Sequence, residues 1–165
     1  MTRSRFVQVC VLVPALAGFV GGGCGDHDHD HGATASGSGT GHKHGSQRGG
    51  VAVELGEHQF QLDVVHDPAA GVLNAWVMDG HMENFVRIAA PSFAVTIRTS
   101  ATTNTLALAA VANNATGEKV GDTSQFQGEA AWLKGITTFH GTVDAIEIRG
   151  RRFASVAFAY PGAGK

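Results

Sequence analysis

A chain of 165 residues with 23 glycines and four prolines has room for a leader, a tail and one domain. Arg3 and Arg5 are the basic residues of the first 23, so ten of the 12 basic side chains remain beyond them against 14 acidic ones, a balance that gives no support to nucleic-acid binding. Both cysteines, Cys10 and Cys24, precede residue 25, which excludes from the rest a disulfide framework, a thiolate zinc site and a Cys-containing blue-copper site.

Residues 1–23 read as an export signal: MTRSRFVQ supplies a basic start, and VCVLVPALAGFV is an apolar run too short to span a bilayer comfortably. Gly21, Gly22 and Gly23 then precede Cys24. A small residue before a cysteine at the end of such a run resembles the lipobox of bacterial lipoproteins, which implies lipidation of Cys24 and its exposure as the mature N-terminus. By the same resemblance, to lipoproteins of Gram-negative bacteria, Gly25 after that cysteine implies transfer to the outer membrane, facing the periplasm. The alternative is ordinary signal cleavage with an incidental Cys24.

Residues 24–50 hold too little apolar surface to offset the entropy of ordering them, and are expected to form a disordered tether. They carry five of the nine histidines. Asp26-His27-Asp28-His29-Asp30-His31 spaces its imidazoles at i, i+2 and i+4, so an extended chain would present them on one side. Neutral imidazole suits zinc, copper and nickel, and the aspartates add oxygen ligands and negative charge. His42-Lys43-His44 repeats the spacing, with Lys43 lowering the local attraction for cations. The bland alternative is a hydrophilic spacer.

From Gly49 onward short β-like runs alternate with turn signals. Strands are expected over residues 51–55, 58–65, 72–78, 85–88, 92–98, 105–112, 125–130, 139–148 and 153–160. In the second, His58, Phe60, Leu62 and Val64 are expected to face one way. The alanine-rich run 105–112 has helical propensity, but its β-rich neighbours favour a strand. Residues 113–124 (NNATGEKVGDTS) read as a polar loop, and Gly150-Arg151 as a hairpin tip. Eight or nine strands without an amphipathic helix predict an all-β fold: an antiparallel, immunoglobulin-like β-sandwich over residues 51–165.

Within that domain the densest group of potential ligands is Met78-Asp79-Gly80-His81-Met82-Glu83-Asn84. His81 with the two methionines would suit copper, and His81 with Asp79 or Glu83 would suit zinc or Cu(II). The competing expectation gives Met78 to the core, Asp79-Gly80 to a turn and His81 to a loop hydrogen bond. His58, His66 and His140 matter as ligands only if folding brings two of them near His81. Trp76 and Trp132 read as core or sheet-face aromatics, and as a ligand platform only if both are exposed on one face. No G-x-S-x-G, HExxH, G-x-G-x-x-G or P-loop is present, and the chain is not expected to be an enzyme.

The His-rich tail, ELGEHQFQLDVV, the DPAAG turn and MDGHMENFVRI together resemble the small exported proteins, often lipoproteins, associated with bacterial heavy-metal efflux systems of the resistance–nodulation–division type. That resemblance implies a periplasmic setting and a metal efflux complex as partner; it brings no catalytic residues with it. The expected function is capture or buffering of a divalent transition metal (Zn, Cu or Ni) by the tail, close to a membrane. The alternative is a structural or protein-interaction sandwich with the tail as spacer.

Overall fold

The chain divides into two units, Met1–Thr40 and Gly41–Lys165, and a computed structural model describes residues 45–162, all within the second. Its elements in order are β1 (Val51–Leu55), β2 (Phe60–Asp67), β3 (Val72–Asp79), β4 (Ser92–Arg98), β5 (Thr103–Ala110), β6 (Gln125–Glu129), a 3-10 turn at Ala131–Leu133, β7 (Phe139–Ile148) and β8 (Arg151–Tyr160). The expected all-β, antiparallel architecture is present with eight strands. They join one sheet in the order β1-β2-β3-β6-β5-β4-β7-β8. The sheet curls until β1 stands beside β8, where Gly56 abuts Phe153 and Gly162 abuts Val51.

Period-two alternation explains the curl, because one face of each strand is apolar and must be covered. Leu62 and Val64 of β2, Leu73 and Val77 of β3, Val95 and Ile97 of β4, and Val143 of β7 all point into one core. β5 shows why its alanine-rich run is a strand: Leu106 and Leu108 are buried while Thr105, Ala107 and Ala109 are exposed. In β7 the buried positions switch from Phe139, Gly141 and Val143 to Ile146 and Ile148. A bulge opposite Ala94 and Val95 of β4 makes the switch, and without it both isoleucines would face solvent.

Several boundaries differ from the sequence expectation, each for a local reason. Residues 85–88 form no strand; Phe85 and Ile88 make only single bridges, to Met78 and Thr123. His58 does not share the buried face of Phe60, Leu62 and Val64. It lies exposed in the β1–β2 turn at φ +62°, where the chain reverses through the bond from Gln59 N–H to the Gly56 carbonyl. The β7–β8 reversal is centred on Arg149-Gly150, with Arg151 already paired to Ile148. Residues 45–50, assigned by composition to the tether, lie across the outer face of β2 and β3.

Candidate functional site

The site grows from the end of β3. Asp79 and Gly80 start a turn in which the Asp79 carboxylate accepts the Glu83 backbone N–H at 2.9 Å and the Asn84 side-chain amide at 2.7 Å. The Met82 N–H donates to the Asp79 carbonyl at 3.1 Å, and the Asp79 N–H to the Asn84 carbonyl at 2.9 Å. Burial alone would raise the Asp79 pKa, but the hydrogen bonds from Asn84, Glu83 and His81 together hold it below the usual carboxylate value. Asp79 is therefore occupied as the brace of this turn.

Gly80 packs directly on the neighbouring turn: a Cβ there would stand 1.7 Å from the His58 carbonyl oxygen. Its own carbonyl accepts the Gln61 side-chain amide at 2.9 Å, in a buried bond. Met82 sits at φ +61° with its side chain buried, and Met78 is buried too. His81 and Glu83 are left exposed, on a turn held from both sides, with the backbone of His58 against it.

The segment before β1 covers this region from outside. Asp63 points outward from β2, yet is fully buried, because the Ser46 hydroxyl donates to one carboxylate oxygen and Arg48 Nη1 pairs with the other at 3.0 Å. The Arg48 guanidinium also lies over the Trp76 ring at 4.6 Å and the Phe85 ring at 5.0 Å, two cation–π contacts. Gln47 donates its side-chain amide to the Met82 carbonyl. Residues 46–48 thus form a strap across β2 and β3, and the chain enters the domain over the His81 turn.

The remaining sequence candidates are dispersed. His58 Nδ1 lies 3.6 Å from Glu54. His140 is exposed at the opposite end of β7, beside an open groove of about 510 Å³ lined by Thr96, Arg98 and Thr142. Trp76 lies under the strap, whereas Trp132 packs against the core from the 3-10 turn, so the two share no exposed platform. Among the described residues, no three His, Cys, Asp or Glu side chains come together in a group that could hold a metal ion. Cys24, Asp26, His27, Asp28, His29, Asp30, His31, His42 and His44 lie outside the described residues.

Two further buried polar groups, besides Asp63, escaped the sequence reading. Glu118, in the polar loop, accepts the Ser124 N–H at 2.9 Å, the Ser124 hydroxyl at 2.6 Å and the Thr116 hydroxyl at 2.7 Å, with Arg87 Nε at 3.7 Å. Burial raises its pKa, but those hydrogen bonds and Arg87 outweigh it and hold the group low. His66, one residue past the expected strand 58–65, is instead a buried residue of β2. Its ring meets the edges of Phe139 and Tyr160, at centroid distances of 5.6 and 5.8 Å, and neither ring nitrogen has a hydrogen-bond partner among the described residues. Burial lowers its pKa, against the weaker upward pulls of Asp67 and the Leu133 carbonyl.

A pH dependence follows. His66, Glu118 and Asp79 all have lowered pKa values in the folded chain, so the unfolded chain takes up each proton first as the pH falls. Stability should be full above about pH 6.5, the ordinary histidine value, and decline below it through His66. It should decline again below the ordinary carboxylate values near 4, through Glu118 and Asp79. Urea melts of His66→Leu should lack the first decline and match or exceed the parent at neutral pH. A variant that loses stability between about pH 7 and 5 as steeply as the parent would refute this role for His66.

The chain matches no protein-family model, no curated protein and no solved structure, so its functional reading rests on its own residues.

Proposed function

We propose that this is an exported, lipid-anchored, non-enzymatic protein that binds a divalent transition metal (Zn, Cu or Ni) through its histidine-rich tail. It would buffer or hand over that metal at the periplasmic side of the outer membrane, as an accessory to a heavy-metal efflux complex. The observation that carries the reading is the alternation Asp26-His27-Asp28-His29-Asp30-His31: three borderline nitrogen ligands and three carboxylates within six residues. Their local concentration is high whatever the barrel does.

Replacing His27, His29 and His31 together by Ala should weaken the tightest Zn²⁺ or Cu²⁺ binding step by tenfold or more, while the metal-free melt of the barrel stays unchanged. Binding by the parent should also fall below about pH 6, because the ligand is neutral imidazole with an ordinary pKa of about 6.5. Calorimetric titration checks both. Unchanged affinity in the triple variant would remove the tail from the function. The exposed Phe85, half accessible beside Arg48, favours a second reading, a protein-interaction module with the tail as spacer. Under that reading the same titration shows no specific metal uptake.

A further inference from the structure

We propose that the outer groove across β5, β4, β7 and β8 binds a tetrahedral oxyanion of the phosphate class, held between Arg98 and His140. The histidine-rich tail takes no part in it. Arg98 of β4 stands opposite His140 of β7 on one side and opposite Thr103 of β5 on the other. Two residues along, Thr96 stands opposite Thr142. Ile97 and Gly141, between these positions, are buried, so the five side chains share the outer face of the sheet. On β8, Ala157 and Ala159 lie opposite Thr142 and His140, and their short side chains leave the space beside the pair unfilled. The result is the groove of about 510 Å³, continued past Arg98 and His140 by a second opening of about 360 Å³.

The charges around this pair are one-sided. Cross-strand neighbours hold their Cβ atoms about 5 Å apart, so a guanidinium and an imidazole placed there can reach one ligand. Like charges directly opposite each other on adjacent strands are destabilising, and an anion between them removes that cost. Arg98 faces His140, and the residues on their other sides are the uncharged Thr103 and Ala159. Neither Arg98 nor His140 has an ion pair or side-chain hydrogen bond among the described residues. β4, β5 and β8 carry no carboxylate along their whole length, and β7 carries Asp144 and Glu147. Asp144, the nearer, is four residues from His140, about 13 Å along an extended strand. In a chain with 14 acidic and 12 basic residues, this face is a local exception.

The donors select the ligand class. Arginine presents its N–H groups in a planar fork that matches phosphate oxygens, histidine adds a ring N–H, and threonine hydroxyls donate from a third direction. Donors converging from three strands suit an anion with oxygens on all sides, whereas a carboxylate would use the arginine fork alone. The groove is larger than one such ion, so it has room for a phosphate ester, including a lipid headgroup, as well as the free ion.

The test uses the full chain, treated with chelator so that metal on the tail cannot recruit phosphate. Calorimetric titration with inorganic phosphate, at an ionic strength held constant with chloride, should show a saturable step. Arg98→Ala should weaken it about tenfold or more and His140→Ala about threefold. Arg98→Lys should retain only part of the affinity, because an ammonium lacks the fork. Arg152→Ala, at the far end of β8, should leave binding unchanged. Acetate should bind more weakly by about fivefold, and equal affinity would overturn the ligand class. A second arm titrates dihexanoyl-phosphatidylglycerol below its micelle concentration. Uptake of this lipid without uptake of phosphate, lost in Arg98→Ala, assigns the site to a lipid headgroup; uptake of phosphate assigns it to a soluble ion or ester. Binding of neither, or binding that survives both Arg98→Ala and His140→Ala, would overturn the inference. Both residues are exposed, so each variant should keep the parent's melting temperature, and that melt shows that a loss of binding is not a loss of fold.

Discussion

Replacing Arg48 by Ala should destabilise the barrel by about 2–4 kcal/mol, a large effect for a residue outside every strand. The Asp63 carboxylate is fully buried on the outer face of β2, and Arg48 is its charged partner at 3.0 Å. Breaking a buried pair by removing one member costs about 3–5 kcal/mol, because the other charge is left without compensation. The Arg48 side chain keeps 30% of its surface in water, so the lower part of that range applies. Loss of the stacking on Trp76 and Phe85 adds to the cost. Asp63→Asn in the Arg48→Ala background removes the stranded charge and should recover part of the loss, so the double-mutant cycle should be strongly non-additive. A chain begun at Val51 should show the same deficit, since it lacks both Ser46 and Arg48. Urea denaturation of the three variants decides the matter, and a change under about 0.5 kcal/mol for Arg48→Ala would reduce the strap to a surface contact.

Gly80→Ala should cost about 3 kcal/mol or more, by a different route. The added methyl would lie 1.7 Å from the His58 carbonyl oxygen and 2.8 Å from its carbon, and backbone atoms cannot rotate aside as a side-chain tip can. Either the β1–β2 turn or the His81 turn must move, and the buried bond from Gln61 to the Gly80 carbonyl moves with it. Gly117→Ala separates sterics from conformation. Gly117 has open space around it but φ +70°, so it should cost only the left-handed strain of about 1–2 kcal/mol. Thermal melts give both values, and amide exchange should show new openings at residues 56–60 and 80–84 in Gly80→Ala alone. Equal costs for the two substitutions would show that the packing of Gly80 on His58 does not constrain the fold.

These two effects mark the limit of what was legible in the sequence. The strand count, the antiparallel class and the strand character of the alanine-rich run all follow from period-two alternation, which a chain carries within any window of six or eight residues. Residues 51–55, 92–98 and 139–148 were legible to their boundaries for the same reason: apolar and polar positions alternate between turn residues. The braced turn was legible as Asp79-Gly80, because an aspartate side chain readily accepts hydrogen bonds from the backbone just after it.

What the alternation could not supply is burial on the outer face. Asp63 occupies a solvent-side position of β2 and reads as exposed; it is buried only because Arg48, 15 residues earlier, is laid over it. Met78 likewise lies on the outer side of β3, and is buried although it is not part of the inward-facing core. His66 falls just past the expected strand 58–65, and is internal because Phe139 and Tyr160, distant in sequence, close around its ring. Residues 85–88 have strand-like composition, but β6 pairs with β3 only over Val72–Trp76, and residues 85–88 reach the remaining end of β3 and the chain before β6 through two isolated bridges, to Met78 and Thr123. By itself the sequence determined most of the elements and the polarity of their faces, both properties of neighbouring residues. Only the tertiary structure decided that the tail's end is strapped over the His81 turn, because that depends on pairings between segments far apart along the chain.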